Sequence, residues 1–437
     1  MNIVLLSGGS GKRLWPLSND VRSKQFIKIF RDGDDYESMV QRVYRQIKNV
    51  DPDATVTIAT SKSQVSAIHN QVGLNVGISV EPCRRDTFPA IALATAYLHD
   101  IQGVSEDEAV VVCPVDPFVD EAYFRCIHEL YSAAQVGKEN LVLMGIEPTY
   151  PSEKYGYIKP TQNDDGKWGF TFTEKPTEEK AKEYIAAGAL WNGGVFAYKL
   201  SYVLNKSKEL LGSCEYEYLF DNYADLKKIS FDYAVVEQEK SIEVLRYIGT
   251  WKDIGTWNAL AEAMEDVVVG RGTIGDACDN VHIVNELDIP ILTMGLRDVV
   301  VVASPDGILV SSEETADKIK PYVDEIDQQI MFAEKSWGNY QVIDVEDKSI
   351  TVKVTLNPGH RMNYHSHERR DEVWTIISGQ GKTIVDGMEQ PVKAGDVITM
   401  AAGCKHTIAA ETELQLIEVQ LVADISVSDK HKFDFPE

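Results

Sequence analysis

The apolar run 3–6 stops abruptly at Ser7-Gly8-Gly9-Ser10-Gly11-Lys12-Arg13. A run that short, ended by glycine, predicts a buried strand leading into a turn. Glycines there let backbone N–H groups approach phosphate oxygens without a side chain in the way. The same beat then repeats. Strands are predicted at 55–59, 78–80, 110–113 and 141–144, and helices at 37–47, 63–71, 88–98 and 121–134. Alternation of this kind predicts an α/β sheet covered on both faces. Ligands in such sheets bind beyond the carboxyl ends of strands, and Gly8 and Asp116 both follow predicted strands.

Past residue 150 the pattern loosens. Trp191-Asn192-Gly193-Gly194-Val195-Phe196 and Trp251-Lys252-Asp253-Ile254-Gly255 look like site-lining loops. After about 270 short strands dominate, at 281–283, 290–293, 299–303 and 307–311, followed by a predicted spacer helix at 313–326. From 337 to 421 alternating strands are punctuated by Pro358-Gly359, Ser378-Gly379, Asp386-Gly387 and Gly395-Asp396. Regular turns of this kind predict an all-β sandwich or barrel. The expected organisation is three parts: 1–268, a β-rich linker with a helical spacer at 269–330, and a β domain at 331–437.

The bulk numbers narrow the function. A chain of 437 residues accommodates two or three domains. A formal charge of -25 repels nucleic acid, so anionic ligands need a local basic pocket. Cys83, Cys113, Cys126, Cys214, Cys278 and Cys404 include no Cys-x-x-Cys pair. They read as small buried hydrophobes in a reducing compartment. With neither a signal-peptide pattern nor a stretch long enough to span a bilayer, the expectation is a cytoplasmic protein without a membrane partner.

The glycine loop fits neither familiar phosphate-binding pattern. Leu6 stands where a Walker loop needs its first glycine, and Leu14 where G-x-G-x-x-G needs its last. Arg13 and Lys24 add two cations that could neutralise a triphosphate, Arg13 by a fork and Lys24 as a point charge. Asp116 and Asp253 could together satisfy Mg²⁺, which takes one or two carboxylates plus phosphate oxygens. Each could equally cap a turn. Glu174-Lys175 offers an acceptor and a cation, or only a solvated surface pair.

Taken jointly, these segments resemble the mannose-1-phosphate guanylyltransferases. The likeness runs through residues 6–26, Glu81-Pro82, Arg85-Asp86-Thr87, Tyr155-Gly156-Tyr157-Ile158, Glu174-Lys175-Pro176, Trp191 to Phe196, Phe231-Asp232-Tyr233-Ala234 and Trp251 to Trp257. It continues through Asn285 to Pro290 and Pro305-Asp306-Gly307. The resemblance implies a Rossmann-like nucleotidyltransferase domain with a mixed sheet, acting on GTP and mannose 1-phosphate. Gly8, Gly9, Gly11 and Arg13 would cradle the triphosphate, with Lys24 at its α-phosphate. Glu81, Arg85, Asp86 and Thr87 would lie near base and ribose. Asp116 and Asp253 would hold Mg²⁺. Gly156, Glu174, Asn192 and Gly193 would bind the sugar, and Lys175 its phosphate. Ser23, Asp86, Pro117 and Val195 depart from the family pattern, and Asp86 leaves the base open, guanine or another. A silent sugar-nucleotide-binding regulator would have lost Arg13, Lys24 or the aspartates, and all are present.

The last third carries His365, His367, Glu372 and His406 among glycine turns. On a strand His365 and His367 share a face. Three imidazoles and a carboxylate suit Zn, Mn, Fe, Ni or Co. This pattern resembles a C-terminal all-β cupin barrel, with Ala401 where proline is usual. In related bacterial enzymes the appended cupin isomerises fructose 6-phosphate and mannose 6-phosphate. Here Arg370 and Trp374 match that isomerase motif, whereas Glu368, Arg369 and Val373 take the places of its histidines, and His365 stands at a usual glutamine. The short strands after about 270 read as a small β platform; such a platform and a cupin are both surfaces that commonly pair, so a homo-oligomer is expected.

Overall fold

A computed structural model describes residues 1–8, 12–19, 21–162, 168–326, 329–422 and 429–435. The chain divides into two compact units. The first comprises Met1–Gly9, Gln25–Gly255 and Glu262–Glu265, and the second Ser10–Lys24, Thr256–Ala261 and Asp266–Glu437.

The first unit is built on a nine-stranded mixed sheet. Asn2–Ser7 lies parallel between Thr55–Ser61 and Ala109–Pro114, and Gly77–Glu81 extends the parallel part. Leu190–Lys199 then runs antiparallel to Ala109–Pro114. The hairpin of Gly156–Gln162 and Trp168–Thr173 continues from it. Central strands buried on both faces need continuous apolar runs, and Ile3, Val4, Leu5, Val110, Val111 and Val112 are fully buried. Helix Met39–Val50 starts two residues after the expected 37, because Ser38 and Gln41 form a capping box that fixes its N-terminus. Helix Thr87–Ala96 is buried from Phe88 to Ala96, as its unbroken apolar sequence requires.

The second unit holds a four-stranded sheet in the order Val268–Gly270, Asp279–Asn285, Arg297–Ser304, Gly307–Ser312. Its first three strands pair in parallel. The cupin follows as a six-stranded and a five-stranded sheet around Val354, Leu356, Trp374, Leu414 and Leu416.

Three expectations need correction. The spacer helix predicted at 313–326 is only Lys320–Asp324, preceded by turns. Pro321 cannot donate to a preceding carbonyl and biases Lys320 away from helix, so it can only open one. The stretches at Trp191 and Trp251 are strands, Leu190–Lys199 and Trp251–Asp253. Finally, not every cysteine is a buried hydrophobe: Cys83 is exposed, while Cys214, Cys278 and Cys404 are half-buried. Among the described residues no helix is long and apolar enough to cross a membrane.

Candidate functional site

Two clefts open at the carboxyl edge of the first unit's sheet, and they meet at Pro114 and Asp116. The larger, about 640 Å³, is lined by Gly8, Glu81, Arg85, Asp86, Thr87 and Asp116, among others. The smaller, about 220 Å³, is lined by Asp116, Gly156, Glu174, Asn192, Gly193 and Asp253, among others.

The large cleft is shaped by strand ends. Gly8 follows Asn2–Ser7, and a Cβ there would meet nothing within 4 Å, so its open side belongs to the cleft. Gly9 and Gly11 lie outside the described residues. Glu81 ends its strand and accepts a 2.8 Å hydrogen bond from the Tyr223 hydroxyl. Burial pushes its carboxyl up, against the pull of that bond. Asp86 sits at φ 70 and its carboxylate accepts the Thr87 N–H at 2.8 Å, capping the buried helix. Thr87 in turn accepts the Phe231 N–H at 2.8 Å. Asp86 and Thr87 therefore present a ten-residue helix's N-terminus to the cleft, a favourable place for anions. Lys62 and Lys228 also line it and went unnoticed in the sequence. Lys62 was recoverable, since it follows the strand Thr55–Ser61 on the same edge.

The small cleft depends on close packing. A Cβ on Gly156 would lie 2.5 Å from the Phe172 ring and 2.6 Å from the Glu174 carboxylate. One on Gly193 would lie 2.4 Å from Ile146. The register of Leu190–Lys199 shifts between Asn192 and Phe196, where Gly194 takes φ 70. Such a bulge re-aims side chains. Asn192 accepts the Gly194 N–H at 3.1 Å and donates to Asp232 at 2.6 Å. Lys175 is absent from this lining and forms a 2.8 Å ion pair with Glu174, which raises its ammonium pKa.

The two aspartates come together through a ladder that no local spacing announces. Asp253 is the Cα partner of Pro117, the residue after Asp116, in the pairing of Trp251–Asp253 with Pro117–Val119. Both carboxylates line the small cleft, and Asp253 also accepts the Gly255 N–H at 3.1 Å. This is a donor set that Mg²⁺ favours. Arg13, which is exposed, and Lys24 belong to the segment grouped with the second unit, and both cleft linings consist of first-unit residues.

Asp232, part of the Phe231-Asp232-Tyr233-Ala234 motif, also lines the small cleft. Burial, then the Glu174 charge, pushes its carboxyl up to about 6. A raised acid binds its proton more tightly in the folded state. Its stabilising effect is therefore complete below the ordinary value of 3.8 and lost as pH rises through about 6. Wild type is expected to lose on the order of 2 kcal/mol across that window from this group, a loss that Asp232→Asn should lack. Urea denaturation of both proteins at several pH values measures it, and parallel pH profiles would count against the assignment.

In the cupin, one ring nitrogen or carboxylate oxygen from each of His365, His367, Glu372 and His406 lies within 4.8 Å of the others, all four residues buried. His365 and His406 are Cα partners on neighbouring strands. Their Nδ1–H groups donate to the carbonyls of Asn363 and Cys404 at 2.7 and 3.0 Å, which turns each Nε2 inward. Both Glu372 oxygens and the His406 Nε2 are buried without a hydrogen-bond partner, so the cluster suits a divalent transition metal. Burial, with Lys430 and His406 nearby, holds His365 down to about 2. Burial acts to raise Glu372, but the rings of His367 and His406, 3.0 and 3.2 Å from its oxygens, outweigh it and hold the carboxyl below the usual range. Glu418 adds a buried carboxylate pushed up to about 7 by burial and Glu372. No local pattern in the sequence marks it.

A mannose-1-phosphate guanylyltransferase of Escherichia coli is 28% identical over 98% of this chain and 97% of its own. The xanthan biosynthesis protein XanB of Xanthomonas campestris is 29% identical over 99% of this chain and 97% of its own. A solved structure described as mannose-1-phosphate geranyltransferase from Thermus thermophilus covers 74% of this chain and 98% of its own, with TM-score 0.62 and 28% identity. Residues 352–420 match the cupin domain family. Residues 2–269, well over half of the chain, match the nucleotidyl transferase family, so this protein is a nucleotidyltransferase-family enzyme that carries a C-terminal cupin domain.

Proposed function

We propose that the enzyme transfers GMP from GTP to mannose 1-phosphate, giving GDP-mannose and pyrophosphate. One observation carries this reading: Asp116 lies where the two clefts meet, beside the strand pair that brings in Asp253. The large cleft would take the nucleotide and the small one the sugar phosphate. The full-length relatives named for this reaction support the choice of base and sugar.

A phosphate oxygen of mannose 1-phosphate attacks the α-phosphorus of GTP. A new P–O bond forms there as the bond to the β-phosphate breaks, and pyrophosphate leaves. Asp116 and Asp253 would hold Mg²⁺, which when bound supplies charge neutralisation at the phosphates. The chain's own part is positioning. Arg13 and Lys24 would offset charge on the triphosphate, with Gly8, Gly9 and Gly11 admitting it closely. Glu81, Arg85 and the Asp86-Thr87 cap would border base and ribose. Gly156, Glu174, Asn192 and Gly193 would hold the sugar, with Lys175 able to leave Glu174 for its phosphate. In the cupin, His365, His367, Glu372 and His406 would hold Zn, Mn, Fe, Ni or Co.

The parts at 1–268, 269–330 and 331–437 would act in a cytoplasmic homo-oligomer that binds no nucleic acid. Pyrophosphate release is the test, with GTP, CTP, UTP and dTTP each paired with several hexose 1-phosphates. A clear preference for GTP with mannose 1-phosphate is expected, and preference for another pair would overturn the assignment. The cupin cluster favours a second reaction, isomerisation of fructose 6-phosphate, against which Glu368, Arg369 and Val373 weigh. A coupled assay for mannose 6-phosphate, with and without chelator, decides it.

A further inference from the structure

The segment that carries Arg13 and Lys24 has little structure of its own. Among the described residues its helical turns are Lys12–Leu14 and Lys24–Phe26, three residues each. Turns this short do not hold a shape unaided. The ties that hold it come from within the second unit, chiefly from the β platform. The Trp15 and Pro16 carbonyls accept from the Trp257 indole at 2.9 Å and the Ser304 hydroxyl at 2.7 Å. Gly307 lies so close to the Trp15 ring that a Cβ would come within 2.4 Å of it. Arg22 forks onto both Glu286 oxygens at 2.7 and 2.8 Å.

Asp306 is the junction of these ties. It is 6% exposed, and its two oxygens divide the work. One accepts Asn19 Nδ2 at 2.6 Å, the other the Met331 N–H at 2.7 Å. Asn19 Oδ1 in turn accepts the N–H groups of Val21 and Arg22 at 2.8 and 2.7 Å, which sets the bend leading to Lys24. Neither Asp306 nor Glu286 lines either cleft.

We infer that Asp306 and Glu286 are positioning residues for nucleotidyl transfer, holding the backbone that presents Arg13 and Lys24. The inference rests on the guanylyltransferase reading. Catalysis by placed cations needs them held still, and a displacement of about 1 Å costs up to about a hundredfold.

Asp306→Asn creates one unavoidable clash of donors, because Asn19 and Met331 both offer N–H groups to it. The expected result is a fall in kcat of about ten- to a hundredfold, with KM for mannose 1-phosphate and cupin metal content unchanged. Adding Asn19→Asp reverses the donor and acceptor across the pair and recreates each of the bonds described above. The double variant should recover kcat to within about threefold of wild type. Glu286→Gln, which weakens the Arg22 fork, should move kcat in the same direction. Wild-type kcat in Asp306→Asn overturns the inference, as does a loss that the double variant fails to restore. If Asp306→Asn does not fold, the double variant must still fold and turn over, and an inactive one overturns the inference. Wild-type protein that releases no pyrophosphate from any substrate pair overturns the guanylyltransferase reading itself.

Discussion

Asp116→Asn and Asp253→Asn are each expected to lower turnover by about a thousandfold or more, a loss of about 4 kcal/mol of transition-state stabilisation. The size follows from what the reaction asks of the protein. Charge accumulates on phosphate oxygens, and little covalent chemistry is available to offset it. The two carboxylates reach one cleft only through the pairing of Trp251–Asp253 with Pro117–Val119. Asparagine keeps the volume and can still accept the Gly255 N–H at position 253, so the fold is expected to survive. Pyrophosphate release at saturating Mg²⁺ measures the effect. Turnover near wild type in either variant would refute the assignment of the aspartates.

The second large effect lies in the cupin. Removing metal with a chelator is expected to lower the melting temperature by on the order of 10 °C. A ligand present at a hundred times its dissociation constant stabilises by about 2.7 kcal/mol, and each kcal/mol moves a domain of about 100 residues by about 4–8 °C. The cause is visible in the cluster. Glu372 and His406 bury polar atoms that no protein group satisfies by hydrogen bonding. Such atoms are costly unless something binds them. Re-addition of Mn²⁺ or Zn²⁺ should restore the midpoint. His406→Ala should melt at the same temperature with and without chelator. Calorimetric scans paired with metal analysis check this. Wild-type protein that carries no metal and ignores chelator would remove the metal centre from the account.

Much of the cupin centre was legible because its chemistry is local. His365 opens the short strand His365–Ser366 and His367 follows it directly, and glycine turns separate them from Glu372 and His406 in the sequence. The nucleotide edge was legible for a related reason. A short apolar run ended by glycine, or by Pro114 and Asp116, marks a strand's carboxyl end, and that edge is where α/β sheets bind ligands. Other features left no local trace. Asp232 reaches the small cleft through a hydrogen bond with Asn192, forty positions away in the chain. The Trp191 and Trp251 segments carry turn-forming residues yet are strands, because Gly193 and Gly194 serve a bulge and close packing, not a loop.

The sequence by itself determined the alternation of elements, the change of texture after about 270, the metal-type residues and the family. Each depends on neighbours close along the chain: apolar period, turn chemistry and motif spacing. Tertiary structure alone decided which distant residues share a site and what holds them. It joined Asp116 to Asp253 across a strand pair. It also grouped Arg13 and Lys24 with the platform through Asp306 and Glu286, although the glycine loop just before Arg13 had pointed to the sheet edge. Long-range pairings of this kind depend on packing and hydrogen-bond satisfaction summed over the whole fold, and no local window of sequence contains them.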